Sequence, residues 1–336
     1  MTRIVSYNIL AGGYDLLNNN IKRTEQLLQM IRPVQPDIVG LLEAIHPAMK
    51  DGPRVIDELA EGLGMQLVEG GPAPRVRDYR LALLTRLPIL STKIHERPGR
   101  ILRPVIEVCV EDENGQPLTV FVTHLAAAFN RGRGGGGVRM REVREVLDIM
   151  AEARASGQPH LLMGDFNSLA PREPFKGSNL IRYVVGIDTT KQQADLSDGN
   201  PNLNAVVPPR LRFLNPVLQL IAVHPTLGAL FDLVATFYVP RGCIKLLLEA
   251  GYIDSYRRTH PHERGFTCPA AAPAGRIDYI FSSPTLIDRL SSCDVLTRGD
   301  GDLPGFLASD HFPLTAEYGV KVIPEPVAEE DDTIKI

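Results

Sequence analysis

Apolar runs of strand length alternate with helically spaced segments through the first half of the chain, and most of these runs stop at a polar residue. Arg3 to Leu10 is rich in β-favouring residues, carries Asn8 near its exit, and is broken by Gly12-Gly13. Ile21, Leu27, Leu28 and Ile31 then recur at helical spacing until Pro33. Asp37 to Glu43 is a second apolar run, ending in a carboxylate. Val55, Ile56, Leu59 and Leu63 mark another helix over 53–63. Short strands follow at 81–84, 89–94, 104–110 and 118–123, the last two joined through Glu113-Asn114-Gly115; they read as an antiparallel meander that ends at His124. A glycine-rich basic loop, 131–137, leads into an amphipathic helix over 138–153 with Val143, Val146, Leu147 and Met150 inward.

His160-Leu161-Leu162-Met163 has the length of a buried strand, and Gly164-Asp165-Phe166-Asn167-Ser168 lies at its exit. A carboxylate and a carboxamide two residues apart can address one ligand there; equally, such residues often bond only their own backbone after a strand. From 170 to 241 the pattern is weakest. A sparsely charged run over 213–231 is interrupted by Pro216, His224, Pro225 and Gly228, which argues against a transmembrane helix and leaves either a subdomain over the core or an apolar lid near a substrate. Beyond it come a helix over 242–250, strand patterns at 252–256, at 276–281 with Asp278 embedded, and at 295–297, and a final strand to Tyr318 preceded by Ser309-Asp310-His311. The expected organisation is one domain over 1–320 with an insert at about 172–240, and an acidic, disordered tail over 321–336.

Composition narrows the class. With 336 residues, 44% hydrophobic and 23% charged, the chain has the make-up of an ordinary globular protein with a sizeable core, not of a membrane or fibrous one. A formal charge of −4 supplies no global basic field, so contact with nucleic acid would depend on local patches; this disfavours a high-affinity DNA-binding module without excluding a nuclease. Cys109, Cys243, Cys268 and Cys293 are dispersed, with no pair at metal-ligand spacing. The first strand begins at once after Met1-Thr2, without a charged head and apolar signal core, and a cytoplasmic location is expected. No feature of the pattern speaks to oligomeric state.

Asn8, Glu43, His124, Asp165, Asn167, Asp310 and His311 all stand at or beside the exits of apolar strands. Strand ends gather along one rim in an α/β sandwich, so these groups can converge. Together they offer oxygen ligands for a hard divalent cation, amides for a phosphate, and imidazoles for proton transfer. The absence of cysteine from the set favours Mg²⁺ or Mn²⁺ over Zn²⁺.

Tyr7-Asn8, Leu42-Glu43, Thr123-His124-Leu125, Gly164-Asp165-Phe166-Asn167, Arg276-Ile277-Asp278-Tyr279 and Ser309-Asp310-His311 occur in an order that resembles the endonuclease/exonuclease/phosphatase superfamily, which includes deoxyribonuclease I, abasic-site endonucleases, sphingomyelinases and inositol polyphosphate 5-phosphatases. The resemblance runs from about residue 3 to residue 318. It implies a four-layer α/β/β/α sandwich of two packed mixed sheets flanked by helices, the deoxyribonuclease I-like fold. It further implies Glu43 as the principal metal ligand with Asn8 and Asp310 in support, and Asp165 and Asn167 as the groups that orient water and hold the phosphate. Asp278 and His311 resemble an acid–imidazole dyad, with either His311 or Asp165 as general base, and Asn8, Asn167, His124 and His311 fall where the phosphate would bind. The Thr-His-Leu form around His124 resembles deoxyribonuclease I, sphingomyelinases and phosphatases more than abasic-site endonucleases of the exonuclease III type.

Two departures accompany the resemblance. The glutamate that supports the equivalent of His124 has only Asp78 as a nearby counterpart, and Thr267-Cys268-Pro269 stands where related sequences often read Thr-Trp-Pro. Arg131, Arg133 and Arg139, on or beside the glycine-rich loop, are candidate substrate contacts. Asp254 is expected to be structural, and His95, His224, His260 and His262 fall outside the motifs. The expected activity is metal-dependent hydrolysis of a phosphodiester by in-line attack of water, nuclease-like; the alternatives are a lipid or small-molecule phosphodiesterase or phosphatase, with a lipid head group as substrate, and a non-catalytic binding scaffold.

Overall fold

The computed structural model describes residues 1–15, 21–46, 54–71, 79–129, 131, 133–191, 207 and 209–319. Asp78 and the acidic tail from 321 onward lie outside these residues, as does part of the expected insert.

Twelve strands form two six-stranded sheets. The first contains β1 (Thr2–Asn8), β2 (Ile38–Ile45), β3 (Gln66–Glu69), β4 (Arg80–Thr85), β11 (Leu290–Val295) and β12 (Leu314–Tyr318), in the order β11-β12-β1-β2-β4-β3. The second contains β5 (Ile89–His95), β6 (Val105–Glu111), β7 (Pro117–His124), β8 (His160–Asp165), β9 (Ile253–Asp254) and β10 (Asp278–Ser282), in the order β5-β6-β7-β8-β10-β9. Each sheet has one parallel pair at its centre, β1 with β2 and β7 with β8, and antiparallel neighbours elsewhere. The central strands are buried on both faces, so they read as continuous Val, Ile and Leu runs. At an edge, β5 carries the exposed Ser91, Thr92 and Lys93, polar chemistry that discourages pairing with another chain.

The two sheets pack face to face over Ile4, Leu42, Leu83, Val108, Val122, Met163 and Ile280. Helices α1 (Thr24–Ile31) and α2 (Val55–Leu63) cover the outside of the first sheet through Leu27, Ile31, Ile56 and Leu59. Helix α3 (Gly136–Ile149) is followed by α4 (Ala151–Ser156); α5 (Gly177–Lys191), α6 (Asn215–Val223), α7 (Pro225–Tyr238) and α8 (Gly242–Glu249) come after β8. α3 and α8 cover the second sheet through Val143, Val146, Ile244 and Leu247. These are the four layers α/β/β/α of the deoxyribonuclease I-like sandwich. α5, α6 and α7 share a small core of their own around Ile181, Val184, Leu218 and Ile221.

Several boundaries differ from the sequence pattern. The helix expected over 138–153 is interrupted at Met150, where α3 ends and α4 begins. The pattern at 295–297 belongs to the end of β11, and only Ile253 and Asp254 of 252–256 are strand, because Ser255 already starts α9 (Ser255–Thr259). Pro216 and Pro225 sit in the first turns of α6 and α7 rather than breaking a helix.

Candidate active site

The register of the sheets brings the strand exits together. In the second sheet His124 lies opposite Asp165 across the parallel β7–β8 ladder, and Asp165 lies opposite Asp278 across the antiparallel β8–β10 ladder, so three titratable side chains occupy one row. In the first sheet Asn8 pairs with Leu42, which puts Asn8 and Glu43 at adjacent exits of β1 and β2. The loop before β12 returns along β1 and carries Ser309, Asp310 and His311 to the same end; the Ser309 hydroxyl donates to the Asn8 carbonyl at 2.6 Å.

The polar groups are linked across the two sheets. Asn8 Nδ2 donates to Asp165 Oδ2 at 3.2 Å, while Asn8 Oδ1 accepts from the Leu10 amide at 3.1 Å. Asp165 Oδ1 accepts the Asn167 amide at 2.8 Å. Asp165 Oδ2 lies 3.4 Å from His124 Nε2 and 3.8 Å from His311 Nε2. His311 Nδ1 is 2.8 Å from Asp278 Oδ2, and the other oxygen of that carboxylate is buried without a partner among the described residues. Asn167 Nδ2 is 3.2 Å from His124 Nε2 and donates to the Leu125 carbonyl at 3.0 Å. Asn167 and Glu43 both have positive φ, +48° and +50°; asparagine tolerates this readily and glutamate does not, so Glu43 sits in a strained backbone of the kind found at functional sites.

Electrostatics separate the titrating groups. Burial, then the neighbouring Asp278, pushes the Asp165 carboxyl up to about 7, against the opposing pull of His311 and the Asn167 amide. Burial alone would lower His311, but Asp278 leads the charges that raise it well above the ordinary imidazole range, so it carries a proton at neutral pH. Burial, then the Arg103 guanidinium, lowers His124 well below that range, leaving a neutral imidazole whose Nδ1 is buried and unpartnered among the described residues. Burial, and next the charge of Asp310, raises Glu43.

The donor chemistry suits a hard cation at Glu43 and Asp310. Burial and the charge of Asp310 work against an ionised Glu43, with Arg103 and His311 only partly opposing them, and a divalent ion would offset both the desolvation and the repulsion. Asp165, Asp278 and His311 also offer three ligand atoms within 4.8 Å of one another. There the cation is already supplied, because His311 is protonated and its Nδ1 is engaged by Asp278, so the imidazole has no lone pair to give.

Residues outside the motifs support this site. Arg23 donates to the carbonyls of Ile9, Leu10, Tyr14 and Ala308, tying the loop after β1 to the loop before Asp310. Behind β10, Arg276 is fully buried between Asp254, at 2.6 and 2.8 Å, and Glu173, and it stacks over the Tyr279 ring at 4.5 Å. The expectation of a structural Asp254 agrees with this geometry. Tyr183 of α5 is raised by burial and then by the charges of Asp310 and Cys268, so the helical segment brings a phenol within electrostatic reach of the His311 loop. No local pattern marked Arg23, Arg103 or Tyr183, because each acts through tertiary proximity.

Among the candidate substrate contacts, Arg139 needs correction. It is 0% exposed and its guanidinium donates to the carbonyls of Ala126, Ala127 and Gly134, so it braces the glycine-rich loop from inside. Arg133 is exposed, but it donates to the carbonyls of Phe237 and Tyr238 at the end of α7. Arg131 is exposed at the surface. His95 and His260 pair with Glu107 and Asp294, away from the motif residues.

Two packed mixed sheets with amides, carboxylates and imidazoles gathered at one set of strand exits define a protein of the deoxyribonuclease I-like fold. The chain belongs to the Endonuclease/Exonuclease/phosphatase family, whose model matches residues 5–311. Among solved structures, it is similar to an AP endonuclease from Archaeoglobus fulgidus, with 16% identity, a TM-score of 0.57, and 95% of this chain and 100% of that one covered. The 3′ phosphatase NExo from Neisseria bound to product DNA hairpin has 18% identity, a TM-score of 0.57 and the same coverage. Truncated TDP2 from Caenorhabditis elegans has 14% identity, a TM-score of 0.55, and 95% and 97% coverage. A comparison with curated proteins finds no match.

Proposed function

We propose that this chain is a divalent-metal-dependent phosphoesterase that hydrolyses a phosphodiester by in-line attack of water. The observation that carries the reading is the connected series Asn8–Asp165–His311–Asp278, with spacings of 3.2, 3.8 and 2.8 Å, drawn from both sheets. Glu43 and Asp310, with Asn8 beside them, would hold Mg²⁺ or Mn²⁺, which when bound would neutralise charge on a phosphate oxygen. Asp278 keeps His311 charged and oriented, so Nε2–H faces the phosphate as a donor. That leaves Asp165, immobilised by the Asn167 amide and Asn8 Nδ2, to orient the water and accept its proton at Oδ2. Asn167 and the neutral His124, in contact at 3.2 Å, would re-aim an N–H toward the charge that grows on the equatorial oxygens once a phosphate is bound.

The substrate reading with most support is nucleic acid, from the names of the similar structures and from exposed Arg131 on the glycine-rich loop. A second reading, a lipid or other small phosphodiester, is favoured by one observation: α6 and α7 expose a run of large apolar side chains. The test is hydrolysis of a generic aryl phosphodiester with Mg²⁺ or Mn²⁺ by wild type, Glu43→Ala and His311→Ala, followed by plasmid, abasic oligonucleotide, sphingomyelin and phosphoinositide. Variants as fast as wild type would overturn the site; an enzyme that cuts only the lipids would remove the nucleic-acid reading.

A further inference from the structure

Helices α6 and α7, with the turn before them, present an apolar surface that the site does not use. Phe213, Val223, Leu230, Leu233, Val234 and Phe237 are all 60% or more exposed, and they come from the turn before α6, the end of α6, and the outer side of α7. The inner side of α7, with Gly228, Asp232 and Ala235, is the one that packs. Isolated exposed leucines are ordinary; six large side chains from two consecutive helices and the turn before them make an apolar surface that calls for a partner.

From Pro209 to Leu248 the exposed charges are cationic. Arg210 and Arg212 are exposed in the turn before α6, and Arg133 caps the C-terminal end of α7 through the Phe237 and Tyr238 carbonyls. Along the flank of α7, Pro225, Ala229 and Asp232 help line a cleft of about 460 Å³ to which Lys176, Arg182 and Arg264 contribute. From Pro209 to Leu248 the sequence holds a single acid, Asp232, and that carboxylate is buried against the Ser178 amide at 2.7 Å and Lys176 at 3.4 Å. A protein with a formal charge of −4 thus carries, over residues 209–248, an apolar face whose own exposed charges are cations.

We propose that α6 and α7 dock flat on an anionic phospholipid bilayer, their leucine, valine and phenylalanine side chains entering the acyl boundary and the arginine rim meeting lipid phosphates. Among the described residues no single helix is long and apolar enough to cross a membrane, and the successive apolar helices 225–238 and 242–249 are bent by 49°. Helices too short to span, with exposed apolar side chains and arginines in the flanking turns, suit the plane of the interface. A second copy of the chain is a poorer occupant: a two-fold contact would set one arginine rim near its equivalent, with no exposed acid on this segment to pair with either. The inference concerns a surface and stands apart from the reaction proposed above.

The experiment is co-sedimentation of the full chain with phosphatidylcholine vesicles and with vesicles containing phosphatidylserine. The wild type pellets with the anionic vesicles, and its apparent affinity falls about tenfold or more as salt is raised, because charges at the bilayer surface are screened over a Debye length. The double variant Leu230→Asp/Leu233→Asp loses binding by about tenfold or more, with unchanged circular dichroism and unchanged hydrolysis of a soluble aryl phosphodiester. Phe237→Ser, a milder change, weakens binding without touching the fold, and Arg210→Glu/Arg212→Glu abolishes the preference for the anionic vesicles. Failure of the wild type to pellet with phosphatidylserine vesicles overturns the proposal, as does wild-type binding by the double variant. A concentration-dependent dimer that the double variant dissociates, in a protein that ignores vesicles, assigns the face to a second copy instead.

Discussion

Asp278 and His311 are joined at 2.8 Å, and the carboxylate oxygen that does not meet the imidazole is buried with no hydrogen-bond partner among the described residues. The carboxylate is therefore committed to one neighbour, and its charge is the leading influence that raises His311. Asp278→Asn keeps the size and removes that charge, so the imidazole loses both its proton at neutral pH and its fixed orientation. The expected result is a fall in kcat of about 10²- to 10⁴-fold with KM little changed, since the interaction matters most as charge develops in the transition state. Steady-state kinetics on an aryl phosphodiester check this; a change confined to KM would mean that the dyad only binds substrate.

How much of this site was legible in the sequence follows from where its signals lie. Asn8, Glu43, His124 and Asp165 each interrupt or end an apolar run and His311 precedes one, a contrast that a linear pattern records, and parallel pairing at the centre of each sheet carries the contrast of the first four into space. Arg139 was misread because a basic residue beside four glycines looks solvated, whereas the loop folds its carbonyls around the guanidinium. β3 escaped notice because Gln66–Glu69 is too short to show a period and depends on pairing with β4. The helices over 215–238 were obscured by prolines that lie in first turns, where a missing amide costs nothing.

Glu43 and Asp310 provide a metal test whose readout is stability. Without added metal, burial and the Asp310 charge work against an ionised Glu43, so Glu43→Gln removes an unfavourable charge. The variant is expected to melt about 2 °C or more above wild type in chelator. Mg²⁺ or Mn²⁺ then raises the wild-type midpoint by linkage and leaves the variant nearly unmoved, and activity lost in chelator returns only to the wild type. Differential scanning calorimetry with and without metal measures both, and equal metal-induced shifts in the two proteins would exclude Glu43 as a ligand.

Gly164 lies one residue before Asp165 and is held at φ +150° on β8. A methyl group there would stand 1.8 Å from the Thr123 carbonyl oxygen, which belongs to the β7 backbone and cannot swing aside as a side chain would. Gly164→Ala is therefore expected to cost about 3 kcal/mol or more, combining left-hand strain with overpacking at the strand pair that aligns His124 and Asp165. Gly64, at φ +63° after α2, has no atom within 4 Å of the same methyl and serves as the control, with a cost of about 1 kcal/mol for the backbone alone. Denaturant unfolding of both variants measures the difference; equal losses would mean that the β7–β8 contact is not tight.

Asp112 and Arg289 give the chain an acid-sensitive fastening far from the site. Asp112 Oδ1 accepts the amides of Asn114 and Gln116 at 2.8 and 3.0 Å, closing the β6–β7 hairpin, and Oδ2 meets Arg289 at 2.5 Å, linking that hairpin to the start of β11. Burial works to raise the carboxyl, but Arg289 and the two amides outweigh it and leave it below the ordinary aspartate value. A depressed folded value means that the unfolded chain binds the proton more readily. The stabilisation is therefore complete above the unfolded carboxylate value of about 3.9 and is lost as pH falls through the lower, folded one. Asp112→Ala removes the ion pair and both turn acceptors from a buried position and is expected to cost about 3 kcal/mol at pH 7. The gap between wild type and variant should stay constant from about pH 8 to pH 5 and shrink only below about pH 4. Urea melts across that range check the sign, and a gap that widened on acidification would show that Asp112 is held with its proton on in the folded chain.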